Sequence, residues 1–341
     1  MTMDIATMRN TARENLKGFC RVCPICDGRV CSGEVPGMGG LGTGGAFRAN
    51  LEALARHRFN MRTIHEVKEV ETSFELWGEK IRMPVLAAPM TGTTYNMGGK
   101  LTEERFIEEI IAGSLMAGTI GMTGDGADPA MFESGLKAIA GHQGKGIAII
   151  KPRRQEEILK HIRLAEEAGA VAVGVDIDGA GLVTMALKGQ PVGPKTPEEI
   201  RELVAATELP FILKGIMTVE EAELAVASGA AAIVVSNHGG RVLDHTPGAA
   251  DVLRQISQKV RNKLAVFADG GVRSGADVLK LLALGADAVL VGRPLVAGAF
   301  GGNRDGVALI LDRIKNELIQ AMLLTGTPSV TGVRPEILST G

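Results

Sequence analysis

The stretch Ser236-Asn237-His238-Gly239-Gly240-Arg241 follows directly on the apolar run from Ala231 to Val235. A histidine exchanges protons near neutrality, and a carboxylate on its far nitrogen fixes the tautomer and stabilises the imidazolium it becomes. His238 is therefore the candidate base. Asp269-Gly270-Gly271-Val272-Arg273-Ser274-Gly275 follows the next apolar run. Its glycines offer backbone amides without side-chain obstruction ahead of a helix start, and Arg273 adds a bidentate cation, so the loop suits an anion. Val291-Gly292-Arg293-Pro294 repeats the combination. Two such loops beside a histidine describe a phosphate site next to a base.

These residues need elements that end in the same place. Eight short apolar runs alternate with amphipathic stretches: Pro84 to Ala88, Thr119 to Thr123, Gly146 to Ile150, Val171 to Asp176, Pro210 to Leu213, Ala231 to Val235, Ala265 to Ala268 and Ala288 to Val291. Eight strand-helix units predict an α/β protein with a closed (β/α)8 TIM barrel rather than an open sheet. Helices are expected at Glu103 to Met116, Glu156 to Glu167, Val219 to Ala227 and Ala276 to Leu284, each running into a capping glycine, Gly118, Gly169, Gly229 or Gly285. Thr196-Pro197-Glu198-Glu199 reads as a helix start and Asp305 to Leu324 as the closing helix. Residues 1–83 read as a cysteine- and glycine-rich N-terminal extension packed on the barrel: a helix from Ile5 to Leu16, a loop from Cys20 to Gly45, a helix from Ala46 to Arg58, and a hairpin from Glu69 to Arg82 turning at Gly78-Glu79. The barrel spans 84–325, and 326–341 form a C-terminal tail.

Composition narrows the function. With 37 basic against 39 acidic residues and no long run of either sign, the chain shows no footprint for nucleic acid or an anionic membrane. No apolar stretch approaches a membrane span, and Met1 to Leu16 is charged and polar rather than signal-like. A cytoplasmic enzyme with a small-molecule partner is expected.

In a (β/α)8 barrel the reactive groups gather at the carboxyl ends of the strands. That edge carries Pro89-Met90-Thr91, Thr123-Gly124-Asp125, Lys151, Asp176 with Asp178, Lys214, His238 with Arg241, Asp269 with Arg273, and Arg293. The runs Ile212-Leu213-Lys214-Gly215-Ile216, Val235 to Arg241, Asp269 to Gly275 and Gly285-Ala286 to Gly292-Arg293-Pro294 resemble the FMN-dependent α-hydroxy acid oxidase and dehydrogenase family, which includes glycolate oxidase, lactate oxidase and flavocytochrome b2. The resemblance is strong from about 205 to 300, and weaker but in register from 46 to 176, where Asn50, Pro84 and Pro89 fall in place. It implies FMN at the barrel mouth, Lys214 beside the pyrimidine end of the flavin, Asp269 on the ribityl chain, and Arg273 with Arg293 on the phosphate. The cofactor-binding set is then Pro89, Met90, Thr91, Thr123, Lys214, Ser236, His238, Asp269, Gly270, Gly271, Arg273, Gly292 and Arg293. It also implies that His238 removes a substrate proton, that Asp176 orients it, that Arg241 holds a substrate carboxylate, and that the chain forms a homo-oligomer, a tetramer or larger.

The sequence departs from that family in two respects. Both substrate-binding tyrosines are missing: one counterpart falls near Arg29, the other near Ile150-Lys151. A second family arginine would lie in Gly179 to Leu182, which has no basic residue, and the lid from Gly179 to Lys195 is shortened. Lys151, Arg29 and Tyr95 are the replacement anchors to weigh. In addition, all four cysteines form one motif, Cys20-x2-Cys23-x2-Cys26-x4-Cys31. Thiols so concentrated in a reducing compartment point to a metal, Zn or a 4Fe-4S cluster, with reduced free thiols or a redox-active pair as the alternative. A cluster would relay electrons to or from the flavin and bring in an electron-carrier partner. The expected function is FMN-dependent oxidation of a 2-hydroxy acid or related α-hydroxy carbonyl compound. The alternatives are another FMN-barrel enzyme, similar to type 2 isopentenyl diphosphate isomerase or to a peptide-modifying flavin oxidase, and a non-catalytic flavin-binding protein.

Overall fold

The computed structural model describes residues 3–339. Eight strands, β1 (Val85–Ala87), β2 (Gly121–Gly124), β3 (Gly146–Ile150), β4 (Ala172–Asp176), β5 (Phe211–Ile216), β6 (Ala232–Val235), β7 (Ala265–Ala268) and β8 (Ala288–Val291), form a closed barrel in sequence order. Every neighbouring pair is parallel, and β8 closes on β1 with Val289 opposite Val85 and Val291 opposite Ala87. The eight apolar runs are these eight strands, as expected for strands buried on both faces. Successive side chains point to opposite faces. Leu86, Met122, Ile147, Ile149, Ile212, Val234, Phe267 and Leu290 fill the interior, while Val85, Ala148, Ile150, Val173, Val175 and Val289 meet the surrounding helices.

The helices Glu103–Met116 and Val219–Ala227 have the expected bounds. Gly118, Gly169, Gly229 and Gly285 all have φ between 74° and 106°, the left-handed cap that returns the chain to the next strand. Thr196 and Glu199 form a capping box with Pro197 in the first turn. The closing helix is longer than expected, Arg293–Thr325, with a break at Gly302 and Asn303, so Arg293 stands in its first turn. The hairpin pairs Phe74–Leu76 with Glu79–Ile81. It turns one residue earlier than expected, at Trp77-Gly78, both at positive φ, the geometry of a two-residue type I′ turn. Leu76, Ile81 and Trp77 join the barrel interior, and the Trp77 and Phe267 rings lie 5.8 Å apart. The hairpin thus plugs the end opposite the mouth. Leu338–Ser339 of the tail pairs antiparallel with Arg58–Phe59. No helix among the described residues is long and apolar enough to cross a membrane.

Candidate active site

The loop after β6 carries three consecutive residues at positive φ, His238 (57°), Gly239 (61°) and Gly240 (77°). For a histidine that conformation is strained and persists only where the surroundings over-determine it. Here they do. Ser236 Oγ accepts from His238 N at 3.0 Å, and Asn237 Oδ1 accepts from Gly240 N at 3.2 Å and from Asn50 Nδ2 at 2.7 Å. A Cβ on Gly240 would lie 2.3 Å from Phe47 N, so the loop rests on the helix Gly45–Arg56.

The ring of His238 meets two carboxyl groups. Its Nδ1 is 3.0 Å from Asp178 Oδ1 and 3.5 Å from Asp176 Oδ2. The expected partner, Asp176, is therefore the farther one. Asp178 comes round because the chain enters a 3-10 turn, Ile177–Gly181, straight after β4. Asp176 instead accepts from Lys151 Nζ at 2.5 Å and Lys214 Nζ at 2.9 Å. Burial opposes its charge, but His238 whenever it carries a proton, and Lys151 and Lys214 throughout, hold the carboxylate well below its usual range. Burial, reinforced by the Asp176 charge, pushes Asp178 well above that range. Burial likewise drives His238 well below the usual histidine range, with Asp176 opposing and Lys214, Lys151 and Arg241 assisting, so the imidazole is neutral. Asp178 Oδ2 is buried without a partner. A proton there leaves Oδ1 to accept Nδ1–H and Nε2 as the free basic nitrogen. Lys214 stays charged against burial chiefly because the ionised Asp176 faces it at 2.9 Å.

One cavity is lined by Pro89, Met90, Thr91, Lys151, Lys214, His238, Arg241, Asp269, Gly270, Gly271, Arg273, Gly292 and Arg293. Most of the expected site is thus brought together at one mouth. Three expected residues are not on its wall. Asp176 lies behind Lys214; Ser236 supports the loop and accepts weakly from Lys214 Nζ at 3.4 Å. Thr123 turns its side chain toward Gly135 on the helix Pro129–Gly141. Arg29 points away, 77% exposed beside Asp27, which removes it as an anchor, whereas Tyr95 and Lys151 line the cavity. Sequence reasoning passed over Asn96 and Arg153. Asn96 Oδ1 accepts from Arg241 Nη2 at 3.0 Å. Arg153 grips Asp125 in a buried bidentate pair, 2.7 and 2.9 Å, that braces the mouth. Both partnerships join distant loops, and no local pattern announces them.

The anion cradle suits a flavin phosphate. Gly270 and Gly271 adopt φ of 89° and 82°, and Arg273 Nε and Asp269 Oδ1 are buried without a partner. Burial, then the charges of Arg241 and Arg273, push Arg293 down to about 9, and burial pushes Arg241 down to about 10. Three guanidinium groups crowded in a buried site call for an anion. Cations and amides at one end, an unpaired carboxylate oxygen midway and Lys214 at the other match the phosphate, polyol and pyrimidine of FMN. A segment of the N-terminal extension lies against the same arginines. Arg293 Nε donates to Met38 O at 2.8 Å and its Nη2 to Gly39 O at 3.0 Å. Arg241 Nη1 donates to Gly37 O.

Comparison with known proteins agrees with this geometry. The FMN-dependent dehydrogenase family model matches residues 38–185 and 183–340. The chain is 31% identical to the peroxisomal (S)-2-hydroxyacid oxidase GLO3 of Arabidopsis thaliana, over 83% of this chain and 85% of the plant protein. Over a shorter stretch, 40% of this chain and 38% of the relative, it is 48% identical to 2-hydroxyacid oxidase 2 of Mus musculus. Among solved structures, a mandelate oxidase variant with 2-hydroxy-phenylacetamide superposes with a TM-score of 0.80 at 30% identity, covering 98% of this chain and 97% of the other. Another variant, holding a C4a-OH-FMN adduct, gives 0.77 at 29% identity, covering 98% and 99%. With its barrel, its anion cradle and nearly its whole length from residue 38 matched, this chain belongs to the FMN-dependent dehydrogenase family.

Proposed function

We propose that this protein oxidises a 2-hydroxy acid to the 2-oxo acid with FMN as its prosthetic group and His238 as base. The observation that carries this reading is the neutral, half-buried imidazole held at 3.0 Å by Asp178, on the wall of the cavity that Lys214, Arg241 and the anion cradle also line. FMN, when bound, supplies the two-electron acceptor. Arg273, Arg293 and the amides of Gly270 and Gly271 hold its phosphate, Asp269 its polyol, and Lys214 its pyrimidine end.

The residues of the chain perform the rest. Arg241 and Lys151 are the cavity-lining cations that draw in a carboxylate, Lys151 standing where the family pattern has a tyrosine. His238 Nε2 takes the substrate proton. Asp176, fully ionised beneath the ring, stabilises the resulting imidazolium, while Asp178 fixes its orientation, so the two carboxyl groups divide the work assigned to one. The fixed charge of Lys214 stabilises the negative charge that accompanies electron transfer.

The test is anaerobic addition of a panel of 2-hydroxy acids, aliphatic and aromatic, to the purified flavoprotein. Loss of the oxidised-flavin absorbance with at least one member, together with formation of the matching 2-oxo acid, is expected. An unreduced flavin across the panel would refute the reading. We further propose that Cys20, Cys23, Cys26 and Cys31, all ahead of the family match, are ligands of a metal centre.

A further inference from the structure

We infer that the four cysteines hold a 4Fe-4S cluster, seated in a second cavity that shares a wall with the flavin site. The inference rests on the metal reading of these cysteines and is independent of the hydroxy-acid reading. All four thiols are free, and all four residues line one cavity of about 430 Å³. The same cavity is bounded by Met38, Arg273 and Arg293, which also line the flavin site. The space between the cysteines abuts the end of the site that carries the anion cradle.

The dispersion of the sulfurs separates a cluster from a single ion. A tetrahedral zinc site with Zn–S bonds near 2.3 Å sets its sulfurs about 3.8 Å apart. Among the described residues the one group of three or more metal-ligating side chains with donor atoms within 4.8 Å of one another is Asp176, Asp178 and His238, so no three of these thiols are that close. Four sulfurs around a large cavity suit a cubane, whose irons occupy separate corners and each take one thiolate. The spacing agrees: Cys20-x2-Cys23-x2-Cys26 is the run that supplies three thiolates to one cluster in bacterial ferredoxins.

Charge and hydrogen bonding agree as well. Four thiolates on a dipositive cubane carry a net charge of about −2, which a buried site must offset. Arg9, Arg273 and Arg293 line this cavity. Two donors already address sulfur: Val22 N lies 3.4 Å from Cys20 Sγ, and Arg273 Nη2 lies 3.4 Å from Cys26 Sγ. The loop is held open by its own ties. Arg9 donates to Val22 O and Cys23 O and Arg13 to Arg21 O, and Val22 sits at φ 44°, a strained value for a β-branched residue. These bonds turn backbone carbonyls outward to the helix Ile5–Asn15 and leave the side chains of the loop to the cavity.

The experiment is metal and sulfide analysis of the full-length protein purified without oxygen and reconstituted with ferrous iron, sulfide and a thiol reductant. About four irons and four acid-labile sulfides per chain are expected, with a paramagnetic signal after dithionite reduction. Cys23→Ser and Cys26→Ser should each lower bound iron at least about fourfold. About one zinc per chain, with iron excluded, would overturn the cluster and leave the metal reading standing. No stoichiometric metal would overturn both, and a content of two irons and two sulfides would overturn the cubane. Flavin reduction by 2-hydroxy acids, measured on the same sample, reports separately on the hydroxy-acid reading.

Discussion

At the scale of the residue, the site depends on a histidine kept neutral by burial and aimed by a carboxyl group. Because its pKa is lowered in the folded protein, the base stays unprotonated as pH falls through the ordinary histidine range. We therefore expect kcat/KM to stay level down through about pH 6.5 and to fall only below it. A limb with an apparent pKa at or above 6.5 would contradict this. Lys151→Met removes a cation from the cavity wall and should raise KM for the acid about tenfold or more while the bound flavin is retained, the price of one charge-assisted contact. An unchanged KM would show that Arg241 alone holds the carboxylate. Asp178→Ala removes the acceptor of Nδ1–H and with it the contact that fixes which nitrogen carries the proton. It should lower the rate of flavin reduction more than it raises KM, which steady-state and single-turnover kinetics separate.

At the scale of the element, each strand hands one polar group to the mouth and each loop after it is fixed by contacts from elsewhere. Gly240 is one such tight joint. Gly240→Ala would force a Cβ against Phe47 N at a φ of 77°, and should cost about 3 kcal/mol of stability, read as a lowered urea midpoint. A neutral result would mean the loop is free of the helix Gly45–Arg56. The elements themselves were largely legible in the chain. Runs such as Ala265 to Ala268 are bounded by polar residues and sit at helix-length intervals, and Gly118 and Gly169 mark helix ends by chemistry that needs no tertiary context. What escaped was set by geometry beyond the window of a pattern. Asp178 reaches His238 only because a 3-10 turn follows β4, and alternation along β2 sends Thr123 to the helix side rather than to the mouth. Arg153 finds Asp125 across two strand ends, a pairing visible only once the barrel closes.

At the scale of the whole molecule, the N-terminal extension is tied into the barrel mouth. Residues 37–39 lay their carbonyls on Arg241 and Arg293, so the cysteine loop, the phosphate end and the substrate end are mechanically joined. FMN should stabilise the whole fold by linkage, about 2.7 kcal/mol at a hundredfold excess over its Kd, seen as a raised thermal midpoint. Arg273→Ala should lose most of that increment, since it removes a cation from the cradle; a full increment in the variant would place the phosphate elsewhere. The proposed chemistry turns on one group, the imidazole of His238, moving a proton in the step that reduces the flavin. The measurement that tests it most directly is the anaerobic, single-turnover rate of flavin reduction by a 2-hydroxy acid in His238→Asn against the unaltered protein, both loaded with FMN to the same occupancy. A loss of about a thousandfold with FMN still bound is expected. Reduction at an undiminished rate in the variant would contradict it.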